Sequence, residues 1–283
     1  MRLKEIYELA IKMGVEADPR GEKEVKKALS RVKESYKKMK EEDKEFFDLE
    51  KLTNPYSDTR ILYGETETEI RVILVGIDME AQEIILADRL REKGEKVDLV
   101  LAHHPEGKSL ANLPDVMAMQ ADLWGKQGVP VNIGDVLIDK RMKEVFRSLM
   151  PVNHQRAVDV ARLLDIAFMN VHTPTDNLVT SYLQKLLDEK KPYTVGDVIA
   201  ELKKIPEYKE AAKNGVGPTI LVGDGSKRAG RIVVNMTGGT EGPEEVLEKL
   251  ATAGVGTLVE MHMSDKLKEK AEANHINVII AGH

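Results

Sequence analysis

The chain contains no cysteine. This absence excludes disulfide bonds, iron–sulfur clusters and zinc sites built from thiolates, so a metal would have to be held by histidine and carboxylate side chains. The sequence also lacks an apolar run long enough to cross a bilayer. Its amino terminus, residues 1–5, is charged where a signal peptide would be apolar. We therefore expect a cytoplasmic protein with no membrane partner.

The sequence also has no excess of basic over acidic residues. The 283 residues include 42 Lys and Arg against 48 Asp and Glu, which gives a formal net charge of −6. This balance provides no general attraction for nucleic acid, which is therefore not an expected partner. The hydrophobic share of 42% and the charged share of 32% are typical of a globular protein with one large or two small α/β domains.

Two regions with different patterns of apolar residues follow one another along the chain. In residues 1–56, apolar side chains recur at helical spacing, as at Leu3, Ile6 and Leu9, and predict a helical amino-terminal extension. The Pro- and Ser-containing stretch 54–58 is typical of a linker. Residues 57–283 are then predicted to form an α/β core.

The α/β pattern begins at residue 70. The apolar runs 70–77 and 97–102 flank a helical stretch, an order that predicts a right-handed βαβ unit in a mainly parallel sheet. Further strands are expected at 166–171, 219–222, 231–236, 257–261 and 277–281, with helices between them. Residues 207–217 are predicted to be a surface excursion. No internal repeat is recognisable.

Five of the seven histidines lie at or beside the carboxyl end of a predicted strand. Ligands of open α/β sheets bind outside these ends, so we expect the five side chains to mark a binding site. The five are His103, His104, His172, His262 and His283. His154 and His275 do not fit this pattern and are interpreted as structural.

His103 and His104 follow an apolar strand and precede Pro105. In a regular strand, neighbouring side chains point to opposite faces and cannot share one ion. The pair therefore serves two adjacent ions, or one ion from a bent backbone. In the other interpretations, the two histidines cap the strand as polar residues, or they bind a substrate without metal.

The segment from His172 to Asp176 has the spacing H-x-x-x-D. On a helix this spacing would place both groups on one face. Because Pro174 lies between them, we predict a loop that brings the carboxylate back beside the imidazole. Imidazole and carboxylate ligands without sulfur favour Zn, Fe, Mn, Co or Ni over Ca or Mg.

The glycine-rich segment 237–243 leads into a predicted helix. Its backbone amides are suited to a phosphate at the helix amino terminus, and a flexible turn is the alternative interpretation. His262 is a candidate general acid or base, or else a packing residue beside the site. Glu106 is a second candidate for proton transfer.

With these residues in place, the chain resembles the Nif-three-like family, also called YbgI-type and often labelled GTP cyclohydrolase I type two homologues. The matching segments span residues 70–283. They are 75–78, 101–105, 171–177, 236–239 and the terminal Ala-Gly-His at 281–283. The paired histidines, the H-x-x-x-D segment and the terminal Gly-His occur in the family's order.

The resemblance implies an α/β fold with mainly parallel or mixed sheets flanked by helices, a site for two divalent transition-metal ions, and a homohexamer. Carried over by position, the implied ligands are His103, His104, Asp176 and His283, with His172 close to them. The family also has a carboxylate four residues beyond the last histidine, where this sequence has ended. We therefore expect a truncated carboxyl end, with Glu260 and Asp265 as the nearest substitutes.

These observations lead to one functional hypothesis and two alternatives. The first is a metal-dependent hydrolase acting on a small molecule such as a nucleotide or phosphoester, in which His262 and Glu106 move protons. The second is a metal-binding scaffold or regulatory protein without turnover. The third is a nucleotide-binding protein without metal.

Overall fold

The computed structural model describes residues 1–282 and divides them into two compact units. The first unit comprises Met1–Met117 and Met142–Leu178, and the second comprises Ala118–Arg141 and residues 179–282. Each unit contains its own four-stranded mixed sheet flanked by helices, so the predicted α/β fold is confirmed. The predicted boundary near residue 56 stays a prediction. Among residues 1–282, no helix combines the length and the apolar character needed to cross a membrane.

The sheet of the first unit has the strand order β1-β4-β3-β2, with β1 antiparallel and the other pairs parallel. Its strands are β1 Arg60–Tyr63, β2 Ile73–Gly76, β3 Leu99–Ala102 and β4 Ala167–Asn170. Its helices are α1 Leu3–Glu16, α2 Glu22–Lys38, α3 Glu41–Lys44, α4 Ala81–Glu92, α5 Gly107–Ala111, α6 Leu113–Val116 and α9 Arg156–Leu163, with a 3-10 turn at Leu49–Leu52.

The second unit repeats this topology with the order β5-β8-β7-β6, again with one antiparallel edge strand. Its strands are β5 Thr219–Val222, β6 Arg231–Val234, β7 Val255–Glu260 and β8 Asn277–Ile280. Its helices are α7 Met119–Lys126, α11 Val195–Leu202, α12 Pro206–Lys213, α13 Val246–Thr252 and α14 Asp265–Ala273. The helices α8 Val131–Leu149 and α10 Thr173–Lys190 contain two of the three unit boundaries, and the third lies between Met117 and Ala118. The repeat is therefore one of topology, with no visible counterpart in the sequence.

Burial explains why β3 and β4 occupy the centre of the first sheet. All four residues of β4 are buried, and Phe168 and Met169 have no exposed surface. Leu99 and Val100 of β3 are also fully buried. Burial of each such side chain contributes about 1.5–3 kcal/mol, so the two strands form a stable platform. Their carboxyl ends carry the histidines.

The amino-terminal helices support the start of α10. A Cβ atom at Gly14 would lie 2.6 Å from Cβ of Pro174, so only glycine allows α1 to approach α10 this closely. Asn177 donates a hydrogen bond to the carbonyl of Gly14 and another to the Tyr56 hydroxyl. The Tyr56 hydroxyl in turn donates to the buried carboxylate of Asp18. Residues 1–56 thus fix the first turn of α10.

The structure has helices in two segments where none was predicted, one after His172 and one in the surface excursion at 207–217. The predicted loop after His172 is wrong, because α10 begins at Thr173. Proline is tolerated in the first helical turn, where its missing N–H has no intrahelical partner, so Pro174 starts this helix instead of preventing it. The predicted surface excursion at 207–217 contains α12, which begins at Pro206 for the same reason.

Candidate metal centre

The carboxyl ends of β3 and β4 bring three imidazoles together in the first unit. The ring centroids of His103 and His172 are 4.8 Å apart, and those of His103 and His104 are 5.2 Å apart. The ligand nitrogens of His103, His104 and His172 all lie within 4.8 Å of one another. Three of the five predicted metal ligands therefore form one cluster that could hold an ion.

A bend in the backbone allows the neighbouring histidines to face the same site. The amides of His103 and His104 both donate to the carbonyl of Ile77, over 3.2 and 2.9 Å. Two consecutive amides on one acceptor interrupt the alternation of a regular strand. The backbone is thus bent at this point, and the number of ions that the pair serves stays a prediction.

Each of the three rings has its Nδ1 atom beside a hydrogen-bond acceptor. Nδ1 of His103 lies 3.1 Å from the carbonyl of Val171. Nδ1 of His172 lies 2.8 Å from Oδ2 of Asp58, and Nδ1 of His104 lies 2.6 Å from Oδ1 of Asp78. Because these oxygens accept a hydrogen bond, Nδ1 carries the proton and Nε2 the lone pair in each neutral ring. Metal-binding histidines are held in the same way in known sites.

Asp176 lies between two of the rings. Its Oδ1 is 3.5 Å from Nε2 of His103, and its Oδ2 is 3.8 Å from Nε2 of His172. Because α10 begins directly after His172, the spacing of four residues places Asp176 on the same helix face as the histidine. The structure thus brings the fourth predicted ligand to the cluster, by a helix and not by a loop.

The charges around His172 favour a cation. Burial acts to lower the pKa of His172, but the carboxylates of Asp176 and Asp58 outweigh it and raise the pKa to about 9. Oδ1 of Asp58 is buried and has no hydrogen-bond partner. Two carboxylates thus face one imidazole in a region with little water. This donor set fits a divalent ion bound by nitrogen and oxygen.

Asp58 and Asp78 contact the histidines but were not among the predicted site residues. Asp58 lies in the stretch 54–58, which is typical of a linker, yet it is fully buried against His172 and Thr173. Asp78 follows β2 and is exposed. It belongs to the segment 75–78, one of those that resemble the family, whereas Asp58 has no such sequence signal.

Glu106 lies two residues beyond His104 and is the residue that precedes α5. Burial raises the pKa of Glu106 to about 7, and the negative charge of Glu80 adds to this effect. Its proposed role in proton transfer stays a prediction.

His262 lies in the second unit, two residues beyond the end of β7. Its Nδ1 is 3.2 Å from Oε1 of Glu241. The strand ends at Glu260, whose two carboxyl oxygens both accept from the side-chain amide of Asn235. Burial raises the pKa of Glu260 to about 8, and the nearby Glu241 adds to this effect. The fifth predicted ligand, His283, lies outside the described residues.

A comparison with one solved structure supports the fold. A NIF3 superfamily protein from Sphaerobacter thermophilus aligns with a TM-score of 0.68 and 26% identity, over 80% of this chain and 82% of that one. Reduced HcgD from Methanocaldococcus jannaschii aligns with a TM-score of 0.46 and 14% identity, over 79% of this chain and 77% of that one. The protein ybgI aligns with a TM-score of 0.41 and 16% identity, over 81% of this chain and 78% of that one. No protein-family model matches the chain, and no curated protein matches it in sequence.

Proposed function

This chain belongs to the Nif-three-like family, and we propose that it is a metal-dependent hydrolase. The observation that carries the proposal is the common arrangement of His103, His104 and His172. Each has Nδ1 beside an acceptor, and their ligand nitrogens lie within 4.8 Å of one another. A transition-metal ion bound there supplies an acidified water and polarises the substrate for hydrolysis.

The proposed centre holds two ions, both from the series Zn, Fe, Mn, Co and Ni. The two oxygens of Asp176 face different imidazoles, so this carboxylate would help to hold the ions together with His103 and His172. Asp58 and Asp78 orient His172 and His104 through their Nδ1 atoms. His283 is proposed as a further ligand from the family resemblance alone.

The proposed substrate is a nucleotide or a phosphoester, a class that suits hydrolysis with metal-activated water. Glu106 and His262 are proposed to move protons between the water and the leaving group. Glu106 stands next to the cluster in sequence and is half-buried, and His262 has a carboxylate partner in Glu241.

The test is a hydrolysis screen of nucleotides and phosphodiesters with protein loaded separately with each metal. The variant Asp176→Asn keeps the shape of the side chain but removes its charge, and His275→Asn changes a histidine outside the cluster. We expect turnover in the wild type and in His275→Asn, and a loss of at least about 100-fold in Asp176→Asn. Stoichiometric metal with no turnover on any substrate would instead favour the metal-binding scaffold.

We also propose that the chain forms a homo-oligomer through the edge of its first sheet. Strand β2 is an edge strand, and Val75 and the following Ile77 are 63% and 45% exposed. An edge strand with unpaired backbone groups and exposed apolar side chains is suited to pairing with a second copy.

A further inference from the structure

The glycine-rich segment 237–243 presents a carboxylate to His262. The segment follows β6, and its Glu241 has Oε1 at 3.2 Å from Nδ1 of His262. The imidazole is 56% exposed, whereas the Glu241 side chain is 18% exposed. A mostly shielded carboxylate thus contacts one nitrogen of an accessible ring.

A helix amino terminus holds Glu241 in its charged form. The amide of Ser264, the residue that precedes α14, donates to Oε1 of Glu241 over 2.6 Å. Amide groups at a helix amino terminus favour negative charge. The hydrogen bond with His262 lowers the pKa of Glu241, burial opposes this effect, and the bonds from Ser264 strengthen it. Glu241 is therefore an anion at neutral pH.

The backbone of the loop is fixed in place. The Gln120 side chain donates to the carbonyls of Gly238 and Thr240, over 2.6 and 2.7 Å, and Arg141 donates to the carbonyl of Glu241. Gly238 has a φ of +103°, and a Cβ atom there would lie 2.7 Å from Cγ of Gln120. The glycine thus allows the close approach that anchors the loop. The phosphate site and the flexible turn both stay predictions for this segment.

The same topological position carries a similar pair in the first unit. His104 and His262 each lie two residues beyond the third strand of their sheet, and each has Nδ1 beside a carboxylate. In the first unit, two more imidazoles complete a metal-binding group. Within residues 1–282, the second unit offers no group of three side chains that could hold an ion. The His262–Glu241 pair is therefore better suited to moving a proton than to binding a metal by itself.

We propose that Glu241 is a positioning residue that keeps the proton on Nδ1 of His262, so that Nε2 is the atom that exchanges protons. This inference rests on the role in hydrolysis proposed for His262. When Nε2 takes up a proton, Glu241 balances the charge of the imidazolium that forms. The proton then leaves from Nε2, so the pair ends each cycle unchanged.

The test measures which ring nitrogen of His262 carries the proton, by long-range ¹H–¹⁵N NMR on the full chain labelled with ¹⁵N-histidine. The spectrum of His262→Gln identifies the signals of this ring. We expect a protonated Nδ1 and an unprotonated Nε2 in the wild type at a pH where the ring is neutral. In Glu241→Gln the side chain keeps its size but gains an N–H donor, so the preference is expected to be lost or reversed. Glu241→Asp should retain it in part.

The matched control is Glu245→Gln, which removes a charge that is paired with Lys140. Its tautomer should equal that of the wild type. A protonated Nε2 in the wild type, or the same tautomer in the wild type and Glu241→Gln, would overturn the inference. This measurement needs no turnover, so a failed hydrolase assignment shows as inactive wild-type protein with the expected tautomer. The metal content of Glu241→Gln should equal that of the wild type.

Discussion

The Nδ1 atom of His172 lies 2.8 Å from Oδ2 of Asp58, a carboxylate with no exposed surface. The hydroxyl of Thr173 donates to the same oxygen over 2.7 Å. A buried charge is costly unless it is compensated, so Asp58 depends on a positive charge at or near the imidazole. A metal ion at Nε2 of His172 would supply that charge, which links the folding of the segment 54–58 to the proposed centre.

Replacement of Asp58 by Asn should weaken metal binding without removing a ligand. The amide oxygen can still accept the proton of Nδ1, but the negative charge that makes the imidazole a stronger ligand is lost. We expect the Kd for Zn²⁺ or Co²⁺, measured by calorimetry, to rise about 10- to 100-fold. Asp159→Asn, in which an exposed carboxylate is changed, should bind as the wild type does. Equal Kd values for Asp58→Asn and the wild type would contradict the orienting role.

Replacement of Glu260 by Gln should change how stability depends on pH. The pKa of Glu260 is raised to about 8, so the folded protein holds a proton that the unfolded chain releases near pH 4.5. The free energy of unfolding therefore falls as pH rises between these two values, by about 5 kcal/mol at most. The fall is complete above pH 8. Glu260→Gln has no such group, so its stability should decrease less over this window.

Urea unfolding at pH 5 and pH 8.5 checks this expectation. The difference between the two midpoints should be smaller in Glu260→Gln than in the wild type, and unchanged in Glu245→Gln. If Glu260→Gln and the wild type lose the same stability between the two pH values, Glu260 is not the group responsible.

Replacement of Val75 by Asp should disrupt the proposed assembly. A charge at the centre of β2 opposes pairing of this edge with a second copy. We expect light scattering after size exclusion to show an oligomer for the wild type and a smaller species for Val75→Asp, with the same far-UV circular dichroism. Val216→Asp, at an exposed apolar residue outside the strand, is the control. A monomeric wild type, or an unchanged mass for Val75→Asp, would argue against assembly through this edge.

The strand ends of the first unit could be predicted from the sequence because local patterns determine them. An apolar run, two histidines and Pro105 are enough to locate the end of β3, and His172 follows an equally clear run. Asp176 was correctly associated with His172, although the wrong element was predicted to carry it. Pro174 lies in the first turn of α10, where proline is tolerated, so a helix forms where a loop was predicted. This helix still places Asp176 beside His172.

The partners of the histidines could not be predicted, because tertiary packing selects them. Asp58 is distant in sequence from His172, and its own segment has the composition of a linker. Glu241 lies in a glycine-rich loop whose shape depends on Gln120, a residue of the separate helix α7. The repeated sheet topology was also hidden, since equal strand order does not require equal residues. Local sequence thus identifies the side chains of the candidate metal centre but not the groups that contact them.

The metal content of the purified protein tests the central claim most directly. Elemental analysis should be made on the wild type, His103→Ala, Asp176→Ala and the control His275→Asn, after exposure to the same mixture of Zn, Fe, Mn, Co and Ni. The account predicts one to two ions per chain in the wild type and in His275→Asn, and a loss of most of this metal in the other two. Stoichiometric metal in both His103→Ala and Asp176→Ala, or none in the wild type, would contradict it.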